Sequence, residues 1–224
     1  MEEWDLGYFD RSLKRTVSPG KRPIHQKLVA WELGREFYDG PREYGYGGLG
    51  YDGRWKPLAA KIAARYGLSA SCAVLEVGCK KGFFLHDLKA LLPGIRVKGL
   101  ENSRYPIDHA MEDVRADIVL GQYDQLPFPD GAFDFVLAFS SIYMLNLRGV
   151  MDSLREIERL ARGRSYVTVG AYRGEEGRRM FEAWSLLGTT VLHVEEWMEV
   201  FRHVGYTGDY YFTTAESLNL SWAK

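Results

Sequence analysis

Cysteine is nearly absent from this chain: its 224 residues include two, Cys72 and Cys79. They build no disulfide framework and show no metal-ligand spacing. Both read as reduced thiols, which fits a cytoplasmic protein. Long apolar runs are missing as well. No stretch approaches the roughly 18 residues a membrane span needs, so no membrane partner is expected. The first residues, MEEWDLGYFDR, begin acidic and lack an apolar signal core, which argues against secretion. Nor is there an excess of charge. A net charge of −1 gives no global pull toward nucleic acid. The five histidines (His25, His86, His109, His193 and His203) are scattered, and no cluster suggests a metal site.

What is present is enough apolar residue, 46%, for one core. Every charge from Arg11 to Lys27 is positive: Arg11, Lys14, Arg15, Lys21, Arg22 and Lys27. The run is either a solvated arm or a clamp for a phosphate or carboxylate on a substrate. Pro23 opens a helical pattern over 24–37, and a glycine- and tyrosine-rich loop, DGPREYGYGGLGYDG, fills 39–53. A helix over 55–66 follows. Strand and helix patterns then alternate. Strands are predicted at 73–77, 95–100, 117–120, 133–139 and 165–169, with helices at 83–91, 105–114, 147–160, 175–187 and 194–204. Segments 210–213 and 218–222 are expected to close the fold as an antiparallel pair. This alternation implies an α/β, Rossmann-like, doubly wound and mostly parallel seven-stranded sheet covered on both faces. Two parts follow: residues 1–55 as arm, helix and Tyr/Gly-rich lid, and residues 56–224 as the main domain.

The stretch Val74-Leu75-Glu76-Val77-Gly78-Cys79-Lys80-Lys81-Gly82 reads as a strand feeding a tight turn into a helix. In doubly wound folds such a turn lies under a nucleotide-like ligand. Glu101 ends the next strand, about 20 residues further on, where an acid is placed to accept from ribose hydroxyls. A third element is Gln122-Tyr123-Asp124-Gln125-Leu126-Pro127-Phe128-Pro129-Asp130-Gly131, followed by Phe133-Asp134.

Together these segments, over roughly 70–170, resemble the class I S-adenosylmethionine-dependent methyltransferases, in particular the small-molecule branch with its Leu-Pro-Phe-Pro-Asp-Gly string. The resemblance implies S-adenosylmethionine as cofactor and S-adenosylhomocysteine as product. It implies that Glu76 shapes the turn and that Gly78, Cys79, Lys80 and Gly82 lie under the methionine part. Glu101, with Asn102 beside it, would take the ribose. Gln122 and the backbone of Tyr123 would face the adenine, and Phe139 and Ser140 would flank the methionine. Two positions depart from the family pattern. Lys80 stands where a third glycine is usual, so its side chain must point away from the cofactor or use its charge. Gln122 replaces an aspartate. The dinucleotide-binding rival lacks its middle glycine here, and the Leu-Pro-Phe string has no place in it.

Methyl transfer from a sulfonium needs alignment and exclusion of water. The loop from Tyr44 to Trp55 is the candidate cover, because tyrosines offer flat walls with polar tips. Arg54 is a candidate for the cofactor carboxylate. Asp52, Tyr46 and Tyr143 are the candidate catalytic residues. Tyr44, Tyr46, Tyr143, Tyr172 and Arg173 are the candidate substrate contacts. The expected substrate is a small metabolite methylated on oxygen or nitrogen, by a monomer or homodimer without nucleic-acid partners. The alternative is a non-catalytic relative that binds the same cofactor and serves as a regulator or partner.

Overall fold

A computed structural model describes residues 1–20 and 22–223. Lys21, one of the basic run, lies outside the described residues. The strands are β1 (Arg15–Val17), β2 (Ala73–Val77), β3 (Arg96–Glu101), β4 (Ile118–Leu120), β5 (Phe135–Phe139), β6 (Ser165–Tyr172), β7 (Leu192–His193), β8 (Asp209–Thr213) and β9 (Leu220–Trp222). The main sheet runs β4-β3-β2-β5-β6, with β7 and β8 both paired to β6. All its pairings are parallel. The order reverses between β2 and β5, and in such sheets ligands bind beyond the strand ends at that reversal.

Alternation along the strands builds two cores. Leu75, Val77, Val136 and Ala138 face one side, under α7 (Leu147–Ala161) and α9 (Val194–Val204). Val74, Phe135, Leu137 and Phe139 face the other, under α3 (Trp55–Tyr66) and α4 (Phe83–Leu91). Helix α7 shows why these elements form where they do. Val150, Leu154, Ile157 and Leu160 share its buried stripe, each worth about 1.5–3 kcal/mol when removed from water. The Asn146 side chain accepts from the Gly149 amide at 2.9 Å and caps the start, an interaction worth about 1 kcal/mol. Arg162 ends the helix in a left-handed conformation.

Three expectations are corrected. The C-terminal segments do not pair with each other. β8 adds to β6 in parallel, while β9 pairs in parallel with β1 in a separate two-stranded sheet. A compact turn in which the Thr214 and Ser217 hydroxyls bond each other's backbone amides redirects the chain between β8 and β9. The helix expected over 24–37 is two, α1 (Ile24–Trp31) and α2 (Arg35–Tyr38), broken at Leu33, whose φ is +50°. The one expected over 105–114 is likewise split into α5 (Arg104–Asp108) and α6 (Glu112–Arg115). The helix expected over 175–187 is present as α8 (Glu175–Trp184) after β6.

A third, smaller apolar cluster matters most for the site. Ala30, Leu33, Phe37 and Tyr38 pack with Leu187, and with partly buried Tyr46, Tyr105 and Met144. The segment 34–49 is thereby held over the ends of β2, β3 and β5 as a cover.

Candidate active site

β2 delivers Gly78 in a left-handed conformation, φ +78°. A Cβ there would come within 2.3 Å of the Ser141 Cβ, so both the backbone angle and the packing require glycine. Lys80 adopts φ +55°, which costs a residue with a Cβ about 1–2 kcal/mol. Its amide donates to Glu101 Oε2 at 2.9 Å, and this charge-assisted bond holds the turn.

The Lys80 side chain does not point to solvent. Its Nζ folds back over the turn, 3.4 Å from the Gly78 carbonyl and 3.3 Å from the Phe139 carbonyl. Burial pulls the ammonium toward neutrality, but nearby Tyr46, Glu76, Tyr8 and Glu101 outweigh this and raise its pKa. Glu101 is fully buried. Besides the Lys80 amide it accepts from the Asn102 and Ser103 amides at 2.9 and 3.2 Å, and from the Tyr123 hydroxyl at 2.9 Å. Burial raises its pKa against the pull of these donors. Glu76 is buried beside them with Oε2 unpartnered. Burial, eased by Lys80 and reinforced by Glu101, pushes its carboxyl up to about 8. Gln122 is exposed, and the backbone of Tyr123 is tied down through its carbonyl, which accepts from Ser153 at 2.9 Å.

The cover closes over this cradle. Tyr38 is buried next to Glu101 and stacks between Tyr46 and Tyr105, 6.0 Å from each. Asp39 latches it. Both carboxylate oxygens take Lys81 Nζ at 2.7 Å, and Oδ2 also takes the Tyr105 hydroxyl at 2.8 Å. Burial would raise the Asp39 carboxyl, but these bonds and that of the Leu49 amide hold it below the ordinary range.

A cavity of about 110 Å³ lies between the cover, the end of β5 and the segment after α8. Tyr46, Ser140 and Tyr143 line its inner side, and Arg22 and Arg42 also face it. Ser140 is held at φ +50° by its amide and hydroxyl, which contact Thr168 Oγ1 at 2.7 and 3.1 Å. Such strain in a non-glycine residue is common at functional sites. Burial raises the phenols of Tyr46 and Tyr143, so both hydroxyls are neutral donors at physiological pH. Among the described residues no histidine or carboxylate lines the cavity.

The structure brings together Glu76, Gly78, Cys79, Lys80, Gly82, Glu101, Asn102, Tyr123, Phe139 and Ser140 around the turn, with Tyr46 and Tyr143 beside them. Other candidates lie elsewhere. Arg54 pairs with Asp52 on the surface and rests over the Tyr8 ring. Tyr44 packs edge-on to His25. Tyr172 packs against His193, and Arg173 pairs with Glu3. Sequence reasoning missed Tyr38, Asp39, Lys81, Tyr105 and Arg42. Asp39 opens the glycine-rich loop and was its one available signal. Among the described residues no group of acidic, histidine or cysteine side chains could hold a metal, and no helix is long and apolar enough to cross a membrane.

Residues 75–169 match the family described as methyltransferase domain. The central segment of this chain is thus similar to methyltransferase domains. The match covers somewhat under half of the sequence. A Neurospora crassa sterol 24-C-methyltransferase is 26% identical over 67% of this chain and 45% of its own. A Legionella pneumophila malonyl-[acyl-carrier protein] O-methyltransferase is 24% identical over 57% of this chain and 45% of its own. The chain thus spans less than half the length of these curated relatives. Among solved structures, a complex of the Haloferax volcanii Trm112 methyltransferase activator with a methyltransferase aligns with TM-score 0.53 and 27% identity, covering 69% of this chain and 73% of the other. The [4+2]-cyclase SpnF aligns with TM-score 0.55 and 21% identity over 85% of this chain and 75% of its own, a likeness of fold. The fold is accordingly the Rossmann-like fold seen in methyltransferases.

Proposed function

We propose that this chain transfers a methyl group from S-adenosylmethionine to an oxygen or nitrogen of a small molecule. The supporting observation is what the cradle already holds. An ammonium, that of Lys80, sits on the Gly78 and Phe139 carbonyls, and a hydroxyl, that of Tyr123, sits on Glu101. A methionine amine and a ribose hydroxyl are the same two donor types. The donor and acceptor set therefore fits S-adenosylmethionine, with Gly78, Phe139 and Glu101 as the groups that would hold it once the Lys80 and Tyr123 side chains turn aside. The cofactor, when bound, supplies an electrophilic methyl group.

The remaining work falls to the chain's own residues. Phe37 and Tyr38 exclude water above the turn. Tyr46 and Tyr143 orient the acceptor by donating hydrogen bonds. With no base in the cavity lining, the acceptor atom must arrive already deprotonated, as a free amine or an anionic oxygen does. Holding it in line supplies most of the advantage.

The second reading is a cofactor-binding partner protein without transfer. It is favoured by the same internal guests, which leave the cradle satisfied. Calorimetric titration of the whole chain with S-adenosylmethionine and S-adenosylhomocysteine tests both. Binding of the two, with labelled methyl passing to members of a panel of amines, phenols and carboxylic acids, is expected. Binding of neither overturns both readings, and binding without transfer selects the second.

A further inference from the structure

Two cations of this protein line one small cavity. Several arginines elsewhere meet carboxylates, as Arg11 does with Asp5, Arg65 with Glu2 and Asp209, and Arg159 with Glu156 and Asp130, while others, such as Arg115 and Arg164, bond backbone carbonyls. Arg22 and Arg42 have no carboxylate partner among the described residues, yet both face the same small cavity. Arg22 is half-buried. Its Nε is buried with no partner, and its Nη atoms make long bonds, 3.3 Å to Gln26 Oε1 and 3.4 Å to the Trp184 carbonyl. Arg42 spends one Nη on the Gly45 carbonyl. Burial, and then the charge of Arg42, depress the Arg22 pKa. Two like charges facing one cavity, one of them half-buried and under-bonded, are stabilised by an anion placed between them.

The rest of the lining narrows the anion. Phe37, Met144, Trp184 and Leu186 give apolar walls, which suit a carbon skeleton better than a heavily hydrated phosphate. A guanidinium fork matches the two coplanar oxygens of a carboxylate. We propose that the cavity is a binding site for a carboxylic acid with an apolar body, its carboxylate held by Arg22 and Arg42 and its body directed toward Ser140 and Tyr143. This deepens the methyltransferase reading by naming the class of acceptor, and it rests on that reading only for calling the guest an acceptor.

Binding of hexanoate to the whole chain, without cofactor, tests it by calorimetry at constant ionic strength against hexanamide and inorganic phosphate. Hexanoate is expected to bind at least about tenfold more tightly than hexanamide, a difference that one lost charge-assisted pair would account for. Arg22→Gln and Arg42→Gln should each weaken it by about tenfold or more. Arg42 is exposed, so Arg42→Gln carries the test even where the Arg22 variant fails to fold. Equal binding of acid and amide, no binding of hexanoate, indifference to Arg42→Gln, or tighter binding of phosphate would each overturn the proposal. Titration of the same preparation with S-adenosylhomocysteine reports separately on the cofactor, so either reading can fail alone.

Discussion

The cradle at the glycine turn and the cavity beside it are neighbours with opposite chemistry. In the cradle nearly every polar group has an internal partner: Glu101 takes three amides and a hydroxyl, and the turn carbonyls take Lys80. In the cavity two guanidiniums lack carboxylates, and an Arg22 nitrogen lacks any partner, among the described residues. A satisfied site must exchange its own side chains for a ligand, so affinity there is a difference between two similar terms. An unsatisfied one gains the full bond. The lesson is that the site most legible as a cofactor cradle is also the one where the chain competes with its ligand.

Removing the latch should break this contrast most. Asp39→Ala leaves the Lys81 ammonium, only 10% exposed, without its partner, at a cost of about 2 kcal/mol. Hydrogen exchange of the amides in 34–49 should then quicken by about thirtyfold, while α7 stays protected. A uniform change across both would mean that the cover is not a separate cooperative unit. Next in size is the internal ammonium. Lys80→Met should tighten S-adenosylhomocysteine binding by about tenfold in calorimetry, since the Gly78 and Phe139 carbonyls lose their competitor. Weaker binding would show instead that Lys80 holds the cofactor. The smallest effect concerns pH. The folded Glu76 carboxyl titrates near 8, above its unfolded value, so its contribution is complete in acid and is lost as pH rises from about 4.5 through 8. Melting temperature should therefore fall over that window in the parent protein and fall less in Glu76→Gln. Parallel curves would remove Glu76 as the cause.

Much of the sheet was legible because parallel strands buried on both faces read as near-continuous apolar runs, as in Phe135–Phe139 and, interrupted only by Glu76, Val74–Val77. The C-terminal strands were not. Segments 210–213 and 218–222 look like a hairpin locally, and only the partners β6 and β1, far away in sequence, decide otherwise. Helix breaks at Leu33 and around 109–111 were hidden because an apolar period runs through them. Glu101 was legible by its place at a strand end. The direction of the Lys80 side chain was not, since a rotamer is chosen by neighbours such as Phe139 and Tyr46 that the sequence does not place. Arg22 stood out within a run of like charge, whereas Arg42 sat beside Glu43 and resembled any surface pair.

The cover has one more consequence. Tyr38 roofs the cradle while Phe37 and Tyr46, on the same short segment, wall the cavity. The two chambers thus share one cover segment, latched by Asp39. On the proposed function, methyl donor and acceptor would both enter past that segment, and spent donor would leave past it. The frequency of one loop movement would then cap the traffic of all three, whatever the speed of the chemistry behind it.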